Sequence, residues 1–580
     1  MKWKTLEHNG VLFPPEYNYQ KISVKIKGKK ITLNRKQEEM AWAWTKKKDT
    51  PYVTDKVFIK NFTKDFLEQF EEEYKNLSIE DFDFTEMIKI QEKEKEHNSK
   101  PEIKKKLSAE RKERREKLKE IYGYAIINGM KTEVGNYMVE PASIFMGRGE
   151  HPFRGKWKSM AEPEDIILNL GKKSKVPNCP INNKTWGEIK HDNTSTWLAK
   201  WHDKLTDKDK YVWLSDTSTI RQEQDKVKYE KAINLQKAIP KIRKHIKNNL
   251  GSTDEKVRKI ATVAYLIDNL AMRVGDEKDD EEEADTVGAT TLRVEHITIK
   301  GNKVEFDFLG KDSVRWKKSL KGDEQFIKNI KDFTKGKKPS DEIFDKPSIK
   351  NRVVLISSTD VNKFLSDCKK GITAKVFRTF HASNQVNDYL NKCGLKSVED
   401  DYLKIYHAKM ANLEAAIQCN HKKTPTKNWE ESMKKKENKL KDVNKELKNI
   451  KQIMKTHDYE CVICNKKLII NGEKIRCEDE KLHKNEPKLT KKLDRQKIRI
   501  VKEKERINKK HNRIEERLNK MKLKVEVDKK TKEYNLNTSL RNYIDPRIYR
   551  DWSNQVELDW NKLYPKTLQR KFQWVDSTEK

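Results

Sequence analysis

The sequence predicts a multidomain α+β protein, and three observations carry that prediction. At 580 residues the chain has room for about four domains, each with its own core. Segments with strand-type alternation and segments with helical periodicity both occur along it. Two heptad ladders flank a cysteine-bearing interruption near the C-terminal end, which reads as a long antiparallel coiled coil.

Composition narrows the class. Apolar residues make up 34% of the chain and charged residues 38%, so part of it should be extended, solvated helix rather than globule. Lys and Arg number 127 against 92 Asp and Glu, a surplus of +35 that favours a polyanionic partner through counterion release. No run of about 18 apolar residues exists to span a bilayer, and Met1-Lys2-Trp3-Lys4 lacks a signal-peptide core. Nucleic acid, not a membrane, is the expected partner. Seven cysteines are too few and too odd for a disulfide scaffold and point to a reducing compartment. Four of them (Cys179, Cys368, Cys393, Cys419) are scattered and read as small buried hydrophobes.

In chain order, residues 2–56 mix Pro, Gly and β-branched residues and read as short strands and loops. Phe58, Phe62, Phe66, Phe70 and Tyr74 recur every fourth residue, a helical ridge facing a core. From 92 to 119 nearly every residue is charged, which predicts a solvated helical connector. Composition turns globular from Ile121 to Leu214. Within that stretch Gly147 and Gly149 permit a tight loop that carries Arg148. No GxxxxGK[ST] loop occurs, so nothing suggests ATP use. Residues 254–275 place Val257, Ile260, Val263, Ala264, Ile267 and Leu270 on one helical face with Arg273 at its end. Strands at 291–299 and 303–308, joined through Gly301-Asn302, form an expected hairpin, and Lys311 follows in a Gly310 turn. Further helices carry Arg378 and His421.

Five of these residues suit attack by a tyrosine on a phosphodiester. Such a reaction must stabilise a phosphorane with more equatorial charge than the ground state. Arg273 and Arg378 can each offer a rigid two-pronged donor to non-bridging oxygens, and His421 can donate a third hydrogen bond. Lys311 can protonate the leaving sugar alkoxide as general acid. Tyr543, in Arg541-Asn542-Tyr543-Ile544-Asp545-Pro546, is the nucleophile and would conserve the bond energy in a phosphotyrosyl link. Its phenol, with an ordinary pKa of about 10, needs positive surroundings to ionise. No metal cofactor is expected for this chemistry, because the cations do the work.

The coiled-coil ladders comprise Met433, Leu440, Leu447 and Met454 with Val443 and Ile450, then Leu493, Ile500, Ile507, Ile514 and Met521 with Leu518 and Val525. The interruption holds Cys461 and Cys464, then Cys477 after twelve residues and His483 after five more. Three thiolates and an imidazole make a complete tetrahedral shell for a structural zinc, with no open position for catalysis.

Taken together, these residues resemble the eukaryotic-type DNA topoisomerase IB family. The similarity is carried by Trp3-Lys4-Thr5-Leu6-Glu7-His8, by Glu140-Pro141 through His151-Pro152, and by Pro163-Glu164-Asp165-Ile166-Ile167. It is carried further by Arg293-Val294-Glu295-His296, Glu305 through Ser313, Lys375-Val376-Phe377-Arg378-Thr379 and Asn542 through Arg547. It covers nearly everything except roughly 457–487. The resemblance implies that Arg273, Lys311, Arg378, His421 and Tyr543 fall on the family's active-site positions. It implies a DNA clamp: a mixed α/β cap at 1–217, a mostly α catalytic core of the tyrosine recombinase and topoisomerase IB type at 218–421, a coiled-coil linker at 422–535 with its insert at about 457–487, and a small helical C-terminal domain at 536–580. The implied activity is ATP-independent relaxation of supercoiled DNA by a monomer. Arg148, Asp312 and Asn542 match positions that line the site of camptothecin-type inhibitors.

Some residues depart from the family pattern. The long charged N-terminal region of the cellular enzymes, with its import signals, is not in this sequence. Phe153 stands where a Lys commonly pairs across the clamp opening, although Glu282 remains. The cysteine-bearing insert is unusual for the family. The nucleus is the expected compartment, or a viral factory or virion for a large DNA virus. Two rival readings remain at this point: a site-specific tyrosine recombinase, against which the long linker between His421 and Tyr543 argues, and a non-catalytic DNA-binding scaffold, which leaves the five reactive residue types without purpose.

Overall fold

The computed structural model describes residues 2–276, 284–346, 355–456, 458–471, 474–479 and 487–579. Contacts divide the chain into two compact units, one of residues 1–380 with 566–580 and one of residues 381–565.

The first unit begins with short strands on several small sheets. Strands β1 (Leu6–His8), β2 (Ser23–Ile26), β3 (Lys29–Thr32), β4 (Phe82–Asp83), β5 (Tyr124–Ile127) and β6 (Met130–Glu133) form two of them, in the orders β3-β2-β4 and β1-β5-β6. A ribbon of β7 (Ser143–Ile144) and β8 (Trp157–Lys158) follows. Next come β9 (Ile167–Asn169), β10 (Glu188–Lys190), β11 (Trp197–Asp203) and β12 (Lys208–Trp213), in the order β10-β9-β11-β12, with β9 and β10 parallel.

The reading of 2–56 as strands and loops misses helix α1 (Arg35–Thr45). Its start is written in a capping box: the Asn34 side chain accepts from Gln37 N–H at 2.9 Å, and Gln37 Oε1 accepts from Asn34 N–H at 2.8 Å. Glu38 on this helix is fully buried and takes hydrogen bonds from Tyr17 Oη and from the N–H groups of Gln20 and Ile22. Helix α2 (Lys56–Leu67) carries the phenylalanine ridge. Phe58, Phe62 and Phe66 are fully buried, and Trp44 stacks on Phe62 at 4.5 Å, so the ridge is core. The four-residue rhythm outlasts the helix, because Phe70 packs on Phe66 from beyond Leu67.

The charged stretch is helical in two pieces, α3 (Thr85–Ser99) and α4 (Pro101–Tyr122). They break where Pro101 lacks an N–H and holds Lys100 out of the helical region. No residue of α4 is buried, as befits a solvated connector.

Helices α5 (Thr219–Leu250), α6 (Glu255–Leu270), α7 (Glu324–Thr334) and α8 (Ser358–Cys368) enclose the unit's largest core, which includes Leu235, Leu250, Ile267, Phe306, Phe326, Phe344 and Phe377. A three-stranded antiparallel sheet of β13 (Ile297–Lys300), β14 (Lys303–Gly310) and β15 (Val314–Lys321) packs there. The Gly301-Asn302 turn is where the sequence puts it, but residues 294–296 form a 3-10 turn rather than strand, and β15 was not anticipated. Helix α9 (Ala374–Lys392) contains the boundary between the units.

In the second unit, α10 (Asp401–Gln418) leads to the coiled coil of α11 (Trp429–Thr456) and α12 (Pro487–Lys530). Val443, Leu447, Ile450, Ile514 and Leu518 form its buried seam. The ion pairs Lys436–Asp528, Glu446–Arg517 and Lys451–Glu515 run in opposite directions along the two helices, so the pair is antiparallel. The expected ladder overshoots on α11, where Met454 is 44% exposed. A two-stranded hairpin, β16 (Ile469–Asn471) and β17 (Lys474–Arg476), lies in the interruption. Helices α13 (Leu536–Asn542) and α14 (Pro546–Gln555) follow α12.

The last residues, from α15 (Lys566–Lys571) onward, belong to the first unit. There Lys571, 6% exposed, pairs with Asp225 at 2.7 Å, and Trp574 stacks on Tyr229. Of the four scattered cysteines only Cys419 is buried; Cys179, in a loop, and Cys368 and Cys393, at helix ends, are half-buried. Among the described residues no helix is long and apolar enough to cross a membrane.

Candidate functional site

The first unit holds Arg273, Lys311 and Arg378. Helix α6 is ended by Ala271 in the left-handed region (φ +51°), which turns the chain so that Met272 is buried and Arg273 stands half-buried just beyond. Arg378, on α9 and 4% exposed, donates from its guanidinium to the Ala271 carbonyl at 2.6 Å. One buried arginine thus fastens the turn that presents the other.

The Arg273 segment is also held to β14 through a short extended run. Ala289 N–H donates to Arg273 O at 2.8 Å, and Val287 N–H donates to Leu309 O at 2.8 Å. Gly275 and Gly288 make this approach possible, since a Cβ on Gly288 would meet Gly275 Cα at 2.5 Å. Nothing in the residue pattern at 286–290 announced this bridge. Two residues past Leu309, Lys311 is exposed at the tip of the β14–β15 hairpin, where Asp312 and Ser313 both adopt positive φ.

The same tip meets the glycine loop. Arg148 pairs with Asp312, and a Cβ on Gly149 would collide with the Ser313 side chain at 2.1 Å. Gly147 and Gly149 have positive φ, as the tight-loop reading requires. Phe153 is occupied within its own loop, its N–H on His151 Nδ1 at 3.1 Å and Lys156 Nζ 4.3 Å above its ring. Glu282 lies outside the described residues.

The second unit holds His421 and Tyr543. His421 follows α10 and is 6% exposed; its N–H bonds Ala416 O at 2.8 Å, and its carbonyl accepts from Asn535 N–H at 2.7 Å. Lys422 and Lys423 pair with Tyr534 and Glu533 beyond α12, so the two ends of the coiled coil are tied together beside the histidine. Tyr543 caps α13 and is half-buried, its ring 5.0 Å from the His421 ring.

Ser383 on α9 is a positioning residue that sequence reasoning missed. Its hydroxyl donates to Tyr543 O at 3.2 Å and accepts Asp545 N–H at 3.0 Å, clasping both sides of the Tyr543–Asp545 turn. A lone serine on a helix carries no signal of this kind. Asp545 in turn caps α14 and chelates the Arg547 guanidinium. Asn542 is exposed, with its amide nitrogen on Thr538 O.

The interruption of the coiled coil brings three of its four expected ligands together. The sulfurs of Cys461, Cys464 and Cys477 lie within 4.8 Å of one another. Burial works upward on the Cys461 thiol, but the backbone N–H groups of Cys464 and Ile463 at its sulfur win and hold it below the ordinary thiol range. Burial pushes Cys477 up to about 12, and the neighbouring sulfurs add to it. His483 lies outside the described residues.

Fold and residue set together define a class: a multidomain α+β protein bearing a tyrosine along with the cation types that phosphodiester chemistry needs. Family models sharpen this. The eukaryotic DNA topoisomerase I DNA-binding fragment matches residues 1–214, its catalytic core matches 217–454, and the C-terminal topoisomerase domain matches 515–580. DNA topoisomerase 1 beta of Arabidopsis thaliana is 40% identical over 433 residues, covering 74% of this chain and 45% of the relative. DNA topoisomerase 1 of Homo sapiens is 35% identical over 593 residues, covering 99% of this chain and 71% of the relative. The Candidozyma auris protein of the same name is 40% identical over 448 residues, 76% of this chain and 58% of the relative. The chain belongs to the eukaryotic DNA topoisomerase I family. It spans less than half the length of the plant relative and about seven tenths of the human one.

Proposed function

We propose that this protein relaxes supercoiled duplex DNA without ATP, as a type IB topoisomerase. The observation that carries the reading is Tyr543 set against the buried His421, on a chain that matches the catalytic-core and C-terminal family models. In the proposed reaction Tyr543 Oη attacks a backbone phosphorus, forming an O–P bond as its phenolic proton passes to solvent. The bond from phosphorus to the 5′ oxygen breaks, and Lys311 protonates the departing oxygen. Arg273, Arg378 and His421 hydrogen-bond the non-bridging oxygens as charge builds on them. The 3′-phosphotyrosyl link holds the strand while the duplex below it rotates, and the reverse attack by the 5′ hydroxyl religates it.

The surplus of +35 supports DNA as partner. The same reading takes the enzyme to be a nuclear monomer whose cap, core, linker and C-terminal domain close as a clamp around DNA. Contact between the Arg148 loop and the Asp312 turn supports closure at that point without a lysine at 153. Arg148, Asp312 and Asn542 are proposed to border a camptothecin site, so the drug should raise the trapped covalent adduct; an adduct level indifferent to camptothecin argues against it.

The test is relaxation of a supercoiled plasmid without ATP or magnesium, comparing wild type with Tyr543→Phe. Wild type should relax the plasmid and leave protein on a 3′ end after denaturation, whereas Tyr543→Phe should do neither. Relaxation that required a particular recombination site would favour the recombinase, and binding with no adduct would favour the scaffold.

A further inference from the structure

The apolar ladder of α12 is longer than the helix that faces it. Ile507, Ile514 and Leu518 pack with Leu440, Val443, Leu447 and Ile450 of α11. Leu493 and Ile500, two and one heptads before Ile507, are only 2% and 3% exposed, yet they pack on Cys461, Leu468, Ile475 and Cys477. The knob between the helices therefore takes the place of α11 over the first rungs of α12. Gln496, between those rungs, pins it from both sides: its amide nitrogen donates to Glu460 O at 2.7 Å, and its oxygen accepts Val462 N–H at 3.0 Å.

We propose that Cys461, Cys464 and Cys477 bind a zinc ion as thiolates, and that this ion holds the knob which covers Leu493 and Ile500. The sulfur geometry supports it. A tetrahedral zinc with bonds of about 2.3 Å sets its sulfurs about 3.8 Å apart. Here Cys464 and Cys477 are 3.4 Å apart, and all three sulfurs fall within 4.8 Å. That is too far for a disulfide, which needs about 2.0 Å and would leave one sulfur over. Backbone N–H groups of Ile463 and Cys464 already point at the Cys461 sulfur, as the outer shell of a thiolate ligand should.

Size gives the ion its purpose. The interruption spans 457–486, short of the roughly 40 residues that a self-sufficient core needs, so a metal is the usual staple. Binding forms three Zn–S bonds and releases the thiol protons to solvent. Among the described residues these three are the donors.

Elemental analysis of the full chain, expressed with zinc, should find about one zinc per chain. Cys461→Ser and Cys477→Ser should lose it, and Cys393→Ser should keep it. Stripping zinc from the wild type with a mercurial and a chelator should speed amide exchange across 489–503 by about tenfold, with 507–521 unchanged. A chain without zinc, a mass deficit of two hydrogens marking a disulfide, or unchanged exchange after stripping would each overturn the proposal.

Discussion

The rings of His421 and Tyr543 lie 5.0 Å apart with 31° between their planes. The histidine is held by its own backbone between Ala416 and Asn535, so it is placed before any substrate arrives. His421→Ala should slow single-turnover cleavage of a suicide oligonucleotide by about 10²-fold, the scale of losing one preorganised donor. His421→Gln should recover part of that loss. Equal rates for wild type and His421→Ala would remove the histidine from the reaction.

Ser383→Ala takes away the hydroxyl shared by Tyr543 O and Asp545 N–H. Stability should fall by about 1 kcal/mol, the net worth of an ordinary hydrogen bond. The cleavage rate of the folded protein should drop as well, measured well below its melting temperature, while DNA affinity stays level. Ser383→Thr, which keeps the hydroxyl, should restore the rate. Rescue of stability without rescue of rate would reduce the serine to a packing role.

Arg378, proposed to hold a non-bridging oxygen, also supports the turn before Arg273. Arg378→Ala should cost about 2 kcal/mol in denaturant unfolding, because a charged donor to the Ala271 carbonyl is lost. Arg378→Lys should regain much of that stability but little of the cleavage rate, since an ammonium cannot reproduce the two-pronged contact. A lysine variant with wild-type cleavage would show that charge alone suffices.

His8 should make the first unit sensitive to acid. It is buried, with Nε2 3.0 Å from Asn169 O and Nδ1 accepting Gly10 N–H at 3.1 Å, so the neutral ring fits the site. Burial pulls its pKa from 6.5 down to about 4. Between those values the unfolded chain binds the proton and the folded one does not, so stability is full above pH 6.5 and declines as pH falls. The decline from this group should be about 2 kcal/mol between pH 6.5 and 5. Guanidinium unfolding across that range should show it, and His8→Gln should flatten the slope. An unchanged slope in the variant would assign the effect to other groups.

Local signals in the sequence were reliable where one residue type does one physical job. The phenylalanine ridge, the antiparallel heptads, the Gly147 and Gly149 loop and the clustering of Cys461, Cys464 and Cys477 were all legible, because periodicity and ligand spacing are properties of neighbouring residues. Helix α1 was legible too, through Asn34 and Gln37, but the surrounding Pro, Gly and β-branched residues outweighed its cap in the reading. The stripe of Phe58 to Tyr74 ran past its helix and still reported packing, since Phe70 lies on Phe66, whereas the heptad count took in Met454, which no partner covers.

By itself, then, the sequence supplied the groups on which the proposed chemistry draws: a phenol, an imidazole, an ammonium and two guanidiniums, on a strongly basic α+β chain with a coiled-coil arm. Only the tertiary structure decided what holds them. Arg378 reaches Ala271 across 107 residues, Ser383 clasps a turn 160 residues away, and the knob replaces α11 as partner for Leu493 and Ile500. Such pairings depend on which surfaces the folded cores bring within hydrogen-bonding or van der Waals range, and residues that far apart leave no periodic trace along the chain.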